Sequence, residues 1–160
     1  MKLILQRVLS AGVTVEGTSV GQIGPGLLVL LGVSPADTPE DIQQLARKTL
    51  NIRLWETNGK SWNANVVQMG YEVLVVSQFT LFAVLKGNKP DFHGAMNPEA
   101  AEGLYLRFVQ ELKTLYREDR VATGAFRQYM NVSMVGDGPV TISLDNTKKS
   151  AAVPTSPELE

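Results

Sequence analysis

The run Val73-Leu74-Val75-Val76 constrains this chain most, because an unbroken apolar stretch of strand length reads as a strand buried on both faces. Ser77-Gln78-Phe79-Thr80-Leu81 follows it directly. Where these polar residues take over, the strand, expected over 72 to 79, leaves the core and its backbone amides are free to turn toward a ligand. A second interruption, Gly136-Asp137-Gly138-Pro139-Val140-Thr141, breaks another strand-like stretch near the C-terminus.

Between residues 2 and 33 the chain shows strand character in a meander punctuated by Glu16-Gly17-Thr18 and Gly24-Pro25-Gly26. Thr38-Pro39-Glu40-Asp41 then predicts a helix start, with Thr38 as cap, Pro39 at the first helical position and acids in the first turn. Ile42, Leu45, Ala46 and Leu50 share one face of it. Turn chemistry returns at Asn58-Gly59 and from Asn63 to Asn65. Asn97-Pro98-Glu99 repeats the cap-then-proline pattern, and Ala101, Leu104, Tyr105, Phe108, Leu112 and Leu115 form the apolar stripe of the longest helix, a core-packing element. Met130, Val132 and Met134 alternate with polar residues, as do Val140, Ile142 and Leu144, which predicts two half-buried strands joined at the Gly-Asp-Gly-Pro loop. A single domain is expected over 1–146, followed by a disordered tail over 147–160 that lacks periodicity.

With 160 residues and 44% hydrophobic composition, the chain has enough apolar side chains for one proper core. The absence of cysteine excludes disulfides and thiolate nucleophiles. The apolar stretch at the N-terminus is too short for a signal peptide or a membrane span, so the expected location is cytoplasmic, with no membrane partner. A formal net charge of -1 gives no overall attraction to nucleic acid and weighs against a protein that grips a long phosphate backbone. A small footprint needs only a local positive rim. Arg7, Lys86 and Lys89 are candidates for it; the alternative is that they are ordinary solvated charges.

The usual catalytic sets are missing. His93 is the only histidine, which excludes a His-rich metal site, and its place in the loop from Lys89 to Gly94 reads as surface. The glycine clusters match no phosphate-cradling fingerprint. An enzyme built from this chain works through backbone donors, shape and the substrate's own groups.

The two polar interruptions resemble the signature pair of the D-aminoacyl-tRNA deacylases, whose strand carries Ser-Gln-Phe-Thr-Leu and whose late loop carries Asn-x-Gly-Pro-Val-Thr. The resemblance extends to Leu5-Gln6-Arg7-Val8, Val13-Thr14-Val15, the stretch from Gly26 to Val33, and Gly124, Phe126 and Met130. One departure is Gly136, where the family usually has Asn. The resemblance implies an α+β homodimer, with antiparallel sheets in a barrel-like arrangement and two main helices packed outside. It implies hydrolysis of D-aminoacyl-tRNA, and of glycine mischarged on tRNA, at the acceptor end, without cofactor or metal, in translation quality control. In the family the Gly-Pro pair, here Gly138-Pro139, is cis, enters the partner subunit's active site and excludes L side chains, while Arg7 supports the loop and the terminal ribose 2′-hydroxyl assists the attacking water.

Ser77, Gln78, Phe79 and Thr80 are then the catalytic candidates. Ester hydrolysis passes through an oxyanion that a preorganised N–H stabilises by about 3 kcal/mol. The amides of Phe79 and Thr80 are suited to that role. A Thr80 nucleophile needs an adjacent base or free amine, and none is evident, so Thr80 is assigned to backbone donation and positioning. One rival is a related deacylase with a trans Gly-Pro pair, against which Ser77, Phe79 and Val140 argue. Another is a non-catalytic RNA-binding module, which calls for an aromatic platform and a basic groove that the chain lacks.

Overall fold

The computed structural model describes residues 1–146; the expected tail at 147–160 lies outside the described residues. Strand β1 (Lys2–Val15) changes the core it faces along its length. Leu3 and Leu5 point into the core shared with the helices, whereas Val8, Ala11 and Val13 point into a second core on the other side of the sheet. The switch falls where its register against the last strand slips, between Gln6 and Val8 and again between Val8 and Ser10. Such bulges shift the side-chain alternation and bend the strand.

The next strands are β2 (Thr18–Ile23) and β3 (Gly26–Gly32), followed by helix α1 (Pro39–Asn51) and a small hairpin of β4 (Trp55–Thr57) and β5 (Lys60–Ala64). Helix α2 (Val66–Met69) leads into β6 (Glu72–Ser77), and a second hairpin, β7 (Val84–Lys86) with β8 (Lys89–Asp91), precedes helix α3 (Pro98–Leu115). The short β9 (Val121–Thr123) and the long β10 (Asn131–Asp145) complete the fold. The main sheet runs β10-β1-β3-β6-β9, with β2 beside the second half of β1. β2 curls back toward β9 so closely that a Cβ on Gly21 would lie 2.2 Å from the Thr123 carbonyl oxygen, which nearly closes a barrel.

The apolar run behaves as its composition requires. Val73 and Val75 pack toward the helices, Leu74 and Val76 into the second core, and all are buried. The α+β class and the barrel-like closure match the expectation, but the sheet is mixed rather than antiparallel: β3 and β6 run parallel, as do β6 and β9. The connections explain this. A parallel neighbour requires a crossover of a dozen or more residues; α1 lies in the first connection and α3 in the second.

Both long helices begin where the sequence predicts. The Thr38 hydroxyl accepts from the Asp41 amide at 3.3 Å, and the Asp41 carboxylate accepts from the Thr38 amide at 2.8 Å, a reciprocal capping box. That amide is the main reason the Asp41 carboxyl sits below its usual range. A third helix, α2, directly follows the segment read as a turn, with Asn65 and Gln68 forming a second box and Gly70 ending it at φ 68°. Helix α3 is tied to β6 by Tyr105, whose hydroxyl donates to the Val75 carbonyl at 2.8 Å, and burial pushes that phenol up to about 12. Among the described residues, no helix is long and apolar enough to cross a membrane.

Candidate active site

β6 ends at Ser77 rather than 79. The Gln78 amide still donates to the Leu31 carbonyl at 2.7 Å, and the chain then coils into a 3-10 turn over Phe79–Phe82. In that turn the Leu81 amide bonds to the Gln78 carbonyl and the Ala83 amide to the Thr80 carbonyl. The amides of Phe79 and Thr80, at its start, have no acceptor among the described residues, as expected for the first donors of a helical turn.

The turn is held from below and from outside. A Cβ on Gly32 would lie 2.9 Å from the Gln78 carbonyl and 3.2 Å from Leu81 and Phe82, so glycine at the end of β3 lets the turn settle on the sheet. Lys2 places its ammonium 5.0 Å from the Phe82 ring centroid. On the outer side the Phe79 ring meets Phe92 edge-on, centroids 5.1 Å apart. Ser77 and Gln78 are half-buried, Phe79 and Thr80 exposed. The Gln78 carboxamide donates to the Thr80 hydroxyl. A carboxamide is no base, so this bond orients the hydroxyl without activating it.

Phe92 was not singled out from the sequence, which reads its surroundings as a loop. In the structure Lys89–Asp91 pairs with Val84–Lys86 as a hairpin that delivers Phe92 to the turn. His93 stays exposed and bonds to Asp91, and that bond is the main reason the Asp91 carboxyl lies below its usual range. Among the described residues no hydroxyl is bonded to His93, and none forms a cluster of His, Cys, Asp or Glu able to hold a metal.

Around Gly138-Pro139 the structure corrects the expected loop between two strands: β10 runs through it unbroken, and the residues from Gly136 to Val140 form the irregular stretch against Gln6 to Val8. Glycine and proline in a strand mark bulges and edges as well as turns. The expected half-burial holds for Val140, Ile142 and Leu144 but not for Val132 and Met134, which are 42% and 49% exposed. The Gly138-Pro139 bond is cis, and both residues are exposed. The Arg7 Nε donates to the Asp137 carbonyl at 3.2 Å and lies 3.1 Å from its carboxylate, while Nη1 donates to the Leu54 carbonyl. A Cβ at Gly136 would meet nothing within 4 Å, and the backbone there has no positive φ. Gly136→Asn, the family's residue, is therefore expected to shift unfolding free energy by no more than about 0.5 kcal/mol, read from denaturant midpoints.

One chain does not join these two clusters. Ser77 registers with Leu31 and Leu31 with Leu3, whereas Arg7 and Asp137 lie four residues further along β1, roughly 13 Å at strand rise. Asp137 and the Gly138-Pro139 segment also lie on β10, which β1 and β3 separate from β6, roughly 14 Å across the sheet.

The family model for D-Tyr-tRNA(Tyr) deacylase matches residues 4–145. D-aminoacyl-tRNA deacylase of Dictyostelium discoideum is 48% identical over 151 residues, covering 93% of this chain and 100% of that protein. D-aminoacyl-tRNA deacylase 1 of Homo sapiens is 48% identical over 153 residues, 95% of this chain and 73% of that protein. A solved structure of c-Myc DNA Unwinding Element Binding Protein superposes with a TM-score of 0.89 at 48% identity, covering 92% of this chain and 100% of that one. With a family match that takes in the 3-10 turn, Arg7 and the Gly138-Pro139 segment alike, the chain belongs to the D-Tyr-tRNA(Tyr) deacylase family.

Proposed function

We infer that this chain, a D-aminoacyl-tRNA deacylase by family, works through backbone donors and the substrate's own hydroxyl rather than a side-chain nucleophile. The observation that carries this reading is the start of the 3-10 turn: two adjacent amides without acceptors among the described residues, beside a Thr80 hydroxyl bonded to a carboxamide. Water adds to the ester carbonyl carbon, and the carbonyl oxygen becomes an oxyanion facing the Phe79 and Thr80 amides. Collapse breaks the bond to the ribose 3′-oxygen, which takes up the proton lost by the water and leaves as free tRNA. Each amide aimed at the oxyanion contributes about 3 kcal/mol. The neighbouring 2′-hydroxyl orients the water, a task for which this site offers no side-chain base. The reaction clears D-amino acids, and glycine mischarged on tRNA, from cytoplasmic tRNA as a proofreading step.

Selection against L-amino acids is assigned to Gly138 and Pro139 of a second copy of the chain, since within one copy they lie far from the turn. Backbone carbonyls on one side of the substrate α-carbon accept from its ammonium and leave no room for an L side chain, while D side chains point away. Rejection is then steric and independent of side-chain size. Activity is expected to span D-tyrosyl- and glycyl-tRNA and to be nearly absent for both L-alanyl- and L-tyrosyl-tRNA. Time courses with the four substrates at equal enzyme test this. L-alanyl cleavage approaching the D-tyrosyl rate would mean that the pocket selects by volume and that the assignment to Gly138 and Pro139 is wrong.

A further inference from the structure

The hairpin of β7 and β8 leaves the candidate turn at Ala83 and carries no buried residue; only Asp91 is even half-buried. Its connection is the pair Gly87 and Asn88, with positive φ (63°) at Gly87, the first central residue, as a two-residue hairpin turn of the II′ kind requires. That register sets Lys86 directly opposite Lys89 in the closing pair. Like charges directly opposite each other across an antiparallel pair disfavour it. Lys86 has partial relief, 3.5 Å from the Asp91 carboxylate, but Asp91 also serves His93. Lys89 has no ion-pair partner among the described residues.

A locally unfavourable pair is thus placed on an exposed arm, next to the turn where the ester would sit, in a chain whose net charge is -1. Conflicts with local preference concentrate at functional positions. What relieves two facing ammonium groups is an anion between them. The anionic polymer whose end would occupy the adjoining turn is the 3′ strand of the substrate. We propose that Lys86 and Lys89 together hold a backbone phosphate of the tRNA acceptor strand. This rests on the deacylase reading for why RNA approaches the turn, but not on which groups perform the chemistry.

The test compares the wild-type chain with the double variant Lys86→Gln/Lys89→Gln in binding of fluorescently labelled tRNA, followed by anisotropy across a potassium chloride series. The variant should bind about three- to tenfold more weakly at low salt, the scale of two exposed ion pairs. Its plot of log affinity against log salt should be shallower by about 0.7, the contribution of one phosphate on a single strand. Its thermal midpoint should change little, because relief of the Lys86–Lys89 repulsion offsets loss of the exposed Lys86–Asp91 ion pair, and Lys86→Arg/Lys89→Arg should restore the slope. An unchanged slope overturns the proposal. So does a lost affinity that comes with a lowered midpoint and no rescue by arginine, which would make the hairpin a structural support, or a changed sedimentation coefficient, which would make it a contact between copies. Absence of D-tyrosyl-tRNA hydrolysis by the wild type would instead overturn the deacylase reading, while the salt slope still decides the lysines.

Discussion

Gly138→Ala is expected to lower D-tyrosyl-tRNA deacylation on the order of a hundredfold while leaving the chain folded. Gly138 has φ +127°, a conformation that side chains rarely adopt. A Cβ there would lie 2.8 Å from the Val140 Cγ2, 2.9 Å from the Val140 amide nitrogen and 3.2 Å from the Arg7 Nη2. Holding alanine in such a state costs about 1–3 kcal/mol. The segment escapes by rotating its backbone, which carries Pro139 with it and disturbs the Arg7 contacts to Asp137. Because Gly138 and Pro139 are exposed and Val140 is only partly buried, no fully buried residue has to move, so circular dichroism and the unfolding midpoint should report an intact domain. A displacement of about 1 Å in a group that positions substrate is enough for a hundredfold loss. The ratio of D- to L-tyrosyl-tRNA cleavage should fall along with the rate. Arg7→Lys keeps the charge but loses the fork that reaches both Asp137 and Leu54, so its rate should fall in the same direction by a smaller factor. Single-turnover rates on both substrates give the answer: an alanine variant with full rate and full selectivity would mean that this segment never meets the substrate.

Much of the scaffold that this prediction relies on is legible locally. Val73 to Val76 announce burial on both faces because nothing polar interrupts them, and Thr38 and Asn97 announce helix starts because their side chains have a specific donor to satisfy. What escapes local reading is decided between distant segments. No strand sequence states whether its neighbour runs parallel, so the β3–β6 and β6–β9 pairings became visible only once the crossovers were in place. The four-residue α2 is too short for periodicity, and its only signal was the Asn65/Gln68 spacing. Gly136 to Val140 carry turn-forming residues within a strand, because a bulge and a turn draw on the same residue types. The candidate site divides in the same way. The polar switch at Ser77 marks where the site begins, but the 3-10 geometry that leaves two amides open depends on Gly32 beneath and Phe92 outside, neither of which is near it in sequence.

On the proposed pairing of two copies, Met134→Asp is expected to leave the chain monomeric and to reduce deacylation at least about a hundredfold, more than a purely local change at an exposed residue would give. β10 is an edge strand of 15 residues. Its register partners across β1 include Ala11 opposite Met134 and Val13 opposite Val132. Directly opposed residues of an antiparallel pair share a face, so Val132 and Met134 lie on the face that β1 buries in the second core. They remain about half exposed because no strand among the described residues covers β10 there. Leu9 and Val135 are also exposed, at 52% and 54%, Val135 on the opposite face of β10 from Met134. A long apolar edge left open is a liability in a lone domain and an interface in a paired one. The same edge carries Gly138-Pro139, which cannot meet the 3-10 turn of its own chain across three strand spacings. A second copy covering β10 would remove both difficulties together, by burying the edge and bringing the segment to a turn it otherwise lacks. Analytical ultracentrifugation of wild type and Met134→Asp, paired with D-tyrosyl-tRNA rates, separates the possibilities. A verified monomer with the parent's rate and selectivity would leave each chain with a complete site and remove any role for a partner's Gly138 and Pro139.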